Sequence, residues 1–293
     1  MEQFANATIS ILFDGLAYGM LLFIISVGLS ITMGLMGFAN LAHGTFAMAG
    51  GYATVTLMND YGVPFLPALV LTFFIVGIGS IVFERTIYAP LYKADELDQV
   101  LLSIGLVFAS IAVITFFYGT NPPSIQLPAY LKGQVDFGFS KFPAYRVFTI
   151  IVGFTMIIAL WYGFERTIIG AKIRAAVDNR QMAQSVGIDV DKLFILAFAL
   201  GSGLAAVGGG MAIEIVGMSP TFAIGYLIFF LIVVSVGGLG SIRGTFIAAI
   251  ILGTIDTAGK YLWPEGGAFF IYAATVILLL IKPDGLFGKE QTS

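Results

Sequence analysis

From Gly15 to Asn59 the chain carries no charged side chain, and the same is true of 61–83, 100–120, 147–164 and 193–213. A helix needs about 20 consecutive apolar residues to cross bilayer hydrocarbon. Each of these runs is therefore either a crossing or, for 15–59, two crossings broken near Gly34–Gly44. Backbone groups in hydrocarbon must be satisfied within the segment, which restricts such runs to helices here. With 58% hydrophobic and 11% charged residues, against roughly 25% charged in a soluble domain, the chain reads as one all-α, polytopic transmembrane bundle over 1–293. Asn121-Pro122-Pro123 closes the fourth crossing, and 124–146, rich in Pro and Gly, reads as a loop with a little strand or a short helix. A Gly-Met-Ser-Pro break at 217–220 places the next crossing near Tyr226, and two short pieces, 244–258 and 266–281, follow.

The charges that the runs exclude collect elsewhere. The stretch 165–192, ERTIIGAKIRAAVDNRQMAQSVGIDVDK, holds nine of the 31 charged residues (14 basic, 17 acidic). Such charges are costly in hydrocarbon, so this stretch sits in water or in a protein interface. It also has helical pattern. Ile173, Ala176 and Val177 share a face, Asp178 with Gln181 resembles a capping box, Met182 and Val186 share a second face, and Gly187 is a stop. Small residues along it leave room for a partner. The pattern suits a docking element, although a solvated connector would carry the same charges.

Lys and Arg placement gives the orientation. With 165–192 cytoplasmic, Arg85, Lys93, Arg166, Lys172, Arg174, Arg180, Lys192, Arg243, Lys282 and Lys289 fall inside, ten in all. Lys132, Lys141, Arg146 and Lys260, four in all, fall outside. The expectation is N-out and C-in with nine crossings, or eight if part of 226–258 is re-entrant. Gly201, Ala205 and Gly209, like Gly15 and Gly19, recur every fourth residue, the spacing that lets membrane helices approach closely.

Two stretches interrupt apolar runs with glycine: GLMGFANLAHG (34–44) and GGLGSIRG (237–244). Broken helices at membrane depth persist only where protein or a water-filled cavity satisfies the freed backbone, and matched breaks point to a solute route in transporters. Gly37, Asn40, His43, Gly44, Gly238, Gly240 and Ser241 are the candidates for that route. The alternative is that Asn40, His43 and Ser241 satisfy loosened backbone groups. Glu214, Asp256, Asp14 and Glu84–Arg85 fall near predicted helix ends, where water reaches them. No carboxylate at the centre of a span has a charged partner beside it in sequence, which argues against a proton relay and an ion-driven carrier or channel. There is no phosphate-binding G-x-x-x-x-G-K-[ST] loop, so this chain does not hydrolyse ATP. One histidine and no cysteine argue against a metal centre or an intramembrane enzyme. No basic run suggests nucleic acid.

Four stretches, in this order and spacing, resemble the LivH-type permease of branched-chain amino-acid ABC importers over essentially the whole chain. They are GLAYGMLLFIISVGLSITMGLMGFANLAHGTFAMAGGY (15–52), TIIGAKIRAAVDNRQMAQSVGI (167–188), VGGLGSIRGTFIAAIILG (236–253) and KPDGLFGK (282–289). The N-x-A-H-G form at 40–44 resembles the LivH arm rather than its LivM partner. The resemblance implies a multi-pass subunit of a bacterial inner-membrane importer, with no cofactor of its own and Mg-ATP bound by partner subunits. Its implied companions are a LivM-type permease, LivG- and LivF-type ATPases and a periplasmic solute-binding protein. It also implies that 165–192 carries the helix that docks on an ATPase, with Gly170, Arg174, Ala175, Asn179, Met182, Ala183, Gly187 and Ile188 in that role. The same family serves urea, short amides and other small acids, so the resemblance leaves the solute open.

Overall fold

The architecture follows from the alternation of charge-free runs with polar turns. A computed structural model describes residues 2–36, 40–90, 94–138 and 140–288. The elements are α1 (Glu2–Met36), α2 (His43–Asn59), α3 (Phe65–Phe83) running into a π turn at Glu84–Tyr88, and α4 (Glu96–Tyr118). A two-stranded antiparallel hairpin follows, β1 (Gln134–Asp136) with β2 (Lys141–Pro143), in which Val135 faces Phe142. The second half comprises α5 (Ala144–Arg166), α6 (Ile168–Asp178), α7 (Arg180–Ser185), α8 (Val190–Ile215), α9 (Phe222–Gly225), α10 (Leu227–Gly237), α11 (Ile242–Leu262) and α12 (Ala268–Ile281).

Among the described residues six helices are long and apolar enough to cross a membrane: Ala7–Leu35, Phe65–Tyr88, Glu96–Tyr118, Ala144–Arg166, Val190–Ile215 and Ile242–Leu262. The helix α11 is one continuous element over 242–262, longer than the 244–258 piece expected from the letters. The hairpin and a single 3-10 turn at Ala129–Leu131 occupy the expected 124–146 loop.

The bundle is built around α1 and α8. In α1 83% of its most apolar window is buried and in α8 78%, against 11% in α4, so α4 lies on the periphery. Small residues make this possible. A Cβ on Gly28 of α1 would overlap the Gly201 carbonyl of α8, and one on Gly209 would overlap the Ala47 carbonyl of α2. On the other side of α1, a Cβ on Gly15 would lie 2.6 Å from Thr254 Cα, and one on Gly19 would lie 2.7 Å from the Ala249 carbonyl oxygen of α11. The four-residue spacings therefore mark three backbone-to-backbone crossings, α1 with α8, α2 with α8, and α1 with α11. Apolar side chains gain little from leaving lipid for protein, so close packing of this kind supplies the association energy.

Polar contacts sort to two ends of the bundle. Arg146 pairs with Asp14, and Lys141 with Asp136, at the end that carries the hairpin. Arg243 and Glu165 meet at the opposite end, beside α6 and α7.

Candidate functional site

The two glycine breaks have different geometry. After α1 ends, the chain returns into the bundle, and Asn40, Ala42 and His43 are each 1% exposed. His43 Nε2 lies 2.9 Å from the carbonyl oxygen of Ile25; a carbonyl only accepts, so the imidazole donates. Ile25 precedes the Leu35 end of the α1 span by ten residues, so this return reaches about 15 Å back along α1 at 1.5 Å per residue. Asn40 Oδ1 accepts from the Ala42 amide at 3.0 Å and from the Tyr88 hydroxyl, also at 3.0 Å. Tyr88 is delivered by the π turn at the end of α3, a rare geometry that re-aims a side chain. Asn40 thus satisfies the backbone of the turn that precedes α2, and His43 ties that turn to α1 beside Ile25. Gly44 lets α2 start against α9, since a Cβ there would lie 2.7 Å from the Ala223 carbonyl oxygen. Gly37 lies outside the described residues, as do Lys93 and Lys289.

The second break, 237–241, is a tight turn at the end of the bundle. Gly238 and Gly240 adopt φ of +95° and +75°, which favours glycine. Ser241 caps α11, its Oγ accepting from the Gly244 amide at 3.1 Å. The two breaks touch: a Cβ on Gly34 would lie 2.6 Å from Gly240 Cα. The C-terminal segment straps this turn, with the Leu286 amide donating to the Val236 carbonyl at 2.7 Å and the Phe287 amide to Gly237 at 3.2 Å.

Between these elements lies a half-open cavity of about 890 Å³, lined by Gly34, Trp161, Arg174, Ser241, Arg243 and Asp284 among others. Arg243 spans its lip, donating to Glu165 at 3.4 Å and lying 5.5 Å from the Trp161 ring centroid. All four stretches that carry the family resemblance meet around it. A second, smaller cleft of about 640 Å³ is lined by Glu84, Arg85, Arg180 and Asp191 among others. Glu84, expected at a wetted boundary, is 2% exposed.

The charged loop is ordered by a chain of caps. Thr167 Oγ1 accepts from the Gly170 amide at 3.1 Å and starts α6. Gly170 has no room for a side chain, because a Cβ would overlap the Phe164 carbonyl at the end of α5. Ile173 and Ala176 turn inward and are buried, while Val177 is 41% exposed. The cap of α7 is Asn179, not Asp178: its Oδ1 accepts from the Met182 amide at 2.9 Å. At the other end Gly187, φ +84°, donates to Gln184 and Ile188 donates to Ala183, both at 3.0 Å. That pair of bonds is a Schellman stop, in which the glycine supplies the left-handed residue. Asp189 then caps α8, and hydrogen bonds from the Lys192 side chain and amide hold its carboxyl below the usual range. Arg180 ties α7 to α8 through Asp191 at 3.4 Å and stacks over Phe194 at 4.7 Å.

The eight residues assigned to docking therefore divide. Gly170, Asn179, Ala183, Gly187 and Ile188 build the loop. Arg174, Ala175 and Met182 are exposed, and Met182 (66%) is joined by Val186 (73%) one turn on. Replacing Asn179 by alanine should loosen α7 by about 1 kcal/mol, read as roughly fivefold faster exchange of the Met182 amide. Unchanged exchange would mean that packing of Ala183 holds the helix without the cap.

Two features escape a reading of the letters. The strap of the tail on the 237–241 turn is one. The other is Asp256, expected to be wetted but 1% exposed and paired with Lys260 at 2.6 Å. The i, i+4 spacing of an acid and a base is the available signal.

The chain resembles known proteins along almost its full length. It is 27% identical to the high-affinity branched-chain amino acid transport system permease protein LivH of Salmonella typhimurium, over 96% of this chain and 95% of that one. It is 28% identical to the probable branched-chain amino acid transport permease protein LivH of Methanocaldococcus jannaschii, over 96% and 92% respectively. Among solved structures, PsaBC from Streptococcus pneumoniae in complex with Fab shares the fold, with a TM-score of 0.50 at 12% identity over 94% of this chain and 92% of that one. The sequence profile described as "Branched-chain amino acid transport system / permease component" matches residues 11–280. The profile match over residues 11–280 shows that this multi-pass inner-membrane protein belongs to the family of permease components of branched-chain amino acid transport systems.

Proposed function

We propose that the chain is one permease domain, spanning 1–293, of an ATP-driven, binding-protein-dependent importer of branched-chain amino acids. The observation that carries the reading is the rigid, multiply capped α6–α7 pair with an exposed Ala175–Met182–Val186 face, joined to the bundle beside a cavity. A connector has no use for four successive caps, whereas a lever must be stiff. LivG- and LivF-type ATPases bearing Mg-ATP dock on Arg174, Ala175 and Met182, and a LivM-type permease completes the membrane domain. A periplasmic binding protein delivers solute at the hairpin end. ATP acts by biasing a two-state membrane domain, not through chemistry in this chain. Gly240 and Ser241 line the inner mouth of the route. Asn40, His43, Gly44 and Gly238 shape the breaks that let α2, α10 and α11 move against α1.

The N-terminus and hairpin face outward and the C-terminal tail inward. Nine crossings follow if α2, α9–α10 and α12 span along with the six long helices; eight follow if one of them is re-entrant. The ten-to-four distribution of Lys and Arg between the two sides supports the orientation. The chain has no cysteine, so Ser140→Cys offers a single label. It should react with an impermeant thiol reagent from the periplasmic side only, and labelling from the cytoplasm alone would reverse the topology.

The function is tested by purifying the complete transporter with its partners and following uptake in proteoliposomes. L-Leucine uptake that requires internal ATP and loaded binding protein is the expected result. Uptake of urea or acetamide in place of leucine would move the chain to the amide branch of the family. Uptake without ATPases would mean a stand-alone carrier.

A further inference from the structure

At the end of the bundle opposite α6 and α7 lies a buried ion pair that the import cycle as described does not use. Asp256 sits on α11 six residues before its end, is 1% exposed, and is bonded through Oδ2 to Lys260 Nζ at 2.6 Å. Its second oxygen, Oδ1, is buried and makes no hydrogen bond to any described residue. Lys260 differs: its side chain is 52% exposed, and its ammonium lies 5.5 Å from the Tyr18 ring and 6.0 Å from that of Phe229. Tyr18 of α1 and Tyr226 beside α10 stand within electrostatic reach of Asp256, and Tyr272 of α12 stands within reach of Tyr18. The aromatic wall is continuous, with Tyr226 and Phe229 centroids 5.7 Å apart and Phe229 and Tyr272 centroids 6.3 Å apart.

An ionisable pair inside a span is costly, and a buried carboxylate left with an empty acceptor is costlier still. Packing alone does not require it, because apolar residues of similar volume serve a buried site at least as well. The pair also joins the elements that a solute route must part: α11 carries both charges, while α1, α10 and α12 supply the rings. Lys260, the half-exposed member, stands toward the hairpin end of α11.

We propose that Asp256 and Lys260 form the zwitterion-recognition site of the route. The free Oδ1 of Asp256 takes the α-ammonium of an incoming amino acid. Lys260 swings from Oδ2 to the α-carboxylate, and the Tyr18, Tyr226 and Phe229 faces hold the aliphatic side chain. One ion pair is exchanged for two, so the charges of the solute are met without water. A neutral solute such as urea gains nothing from the exchange. The inference rests on the amino-acid reading above and sharpens it by assigning where the two charges are recognised.

The test uses proteoliposomes of the complete transporter with loaded binding protein saturating, so that differences arise in the membrane domain. Asp256→Asn and Lys260→Met should each lower ATP-dependent L-leucine uptake per reconstituted transporter at least tenfold. The double variant, which leaves no uncompensated charge, should remain as slow as the singles. Recovery of the double variant toward wild-type uptake would mean that the pair only holds α11, and would overturn the proposal, as would wild-type uptake in either single variant. Loss of folded protein in a single but not in the double variant, with leucine uptake by the double variant normal, would overturn it as well. If the wild-type transporter moves urea but not leucine, the amino-acid reading fails. The site assignment, which rests on that reading, then fails with it, whereas normal leucine uptake by the wild type and both single variants would sink the site assignment alone.

Discussion

Replacing Gly209 by valine should remove most folded permease from the membrane, a larger effect than any surface change in this chain. Gly209 lies in α8 where α2 crosses it, and a Cβ there would overlap the carbonyl of Ala47. The obstacle is backbone on a helix that is itself buried: Ala47 is 0% exposed, and Gly50, one turn on, is pressed against Ala206. No rotamer relieves such a clash, so the two helices must separate. Overpacking in a filled core costs roughly 1–3 kcal/mol and more where the neighbour is rigid, a large share of a stability of about 5–15 kcal/mol. Purified variant and wild type should differ in thermal midpoint by well over about 5 °C, and membrane levels should fall several-fold.

The paired control is Gly105→Ala in α4, where a Cβ meets nothing within 4 Å. A helical glycine in open space should gain about 0.5–1 kcal/mol on becoming alanine. Equal thermal midpoints for Gly209→Val and wild type would mean that α2 and α8 do not cross as described. A destabilised Gly105→Ala would mean that α4 is covered by a neighbour in the assembled transporter.

The contrast between those two glycines marks how far the letters reach. Spacing of small residues at 201, 205 and 209, and at 15 and 19, is enough to locate close crossings, because backbone approach in lipid demands such residues. The spacing does not say which partner each faces. Gly28, outside any such repeat, makes an equally tight contact with Gly201. Charge-free runs locate the helices for a similar reason, since hydrocarbon penalises charge wherever it falls. The depth of the return at Asn40–His43 is not legible. It is fixed by a bond from His43 to Ile25, eighteen residues back, and by a tyrosine on the far end of α3. Nor is the shallow position of the 237–241 turn, which depends on a tail more than forty residues later in the chain.

In the loop, Asp178 and Asn179 are both good caps by residue type. Only backbone geometry decides between them, and Asn179, extended at φ −155° and ψ 100°, aims its side chain at the Met182 amide. The burial of Asp256 is hidden for a different reason. Counting distance from a helix end treats every residue there as wetted, whereas the helical period sets Asp256 and Lys260 on one face of α11, turned toward Tyr18 of α1, where the short carboxylate is buried and the longer lysine stays half-exposed. The eight residues proposed for docking are legible as a group because caps and stops are local. Their division into builders and presenters is not, because that division depends on which face of α6 and α7 the ends of α1, α5 and α8 cover.

That division makes the coupling loop testable without damaging the fold. Ala175 and Met182 are exposed and build nothing in this chain, whereas Ala183 is 3% exposed. A tryptophan at Ala175 should insert and fold normally but obstruct a closely fitted groove on the ATPase, at roughly 1–3 kcal/mol, or about 5- to 150-fold in association at 1.4 kcal/mol per tenfold. Met182→Glu should act at the same surface by placing a charge where a flexible apolar side chain is buried on docking. For both variants the expected outcome is wild-type membrane levels, weakened co-purification of the ATPases, and loss of the ATP hydrolysis stimulated by loaded binding protein. Ala183→Trp is the contrasting case: it should disrupt α7 itself and lower stability even without partners. A stiff lever that fits a groove must fail when the fit is spoiled, even though the lever is intact. If Ala175→Trp and Met182→Glu both retain stimulated turnover and normal ATPase association, the exposed face of α6 and α7 bears no load and the loop is a connector.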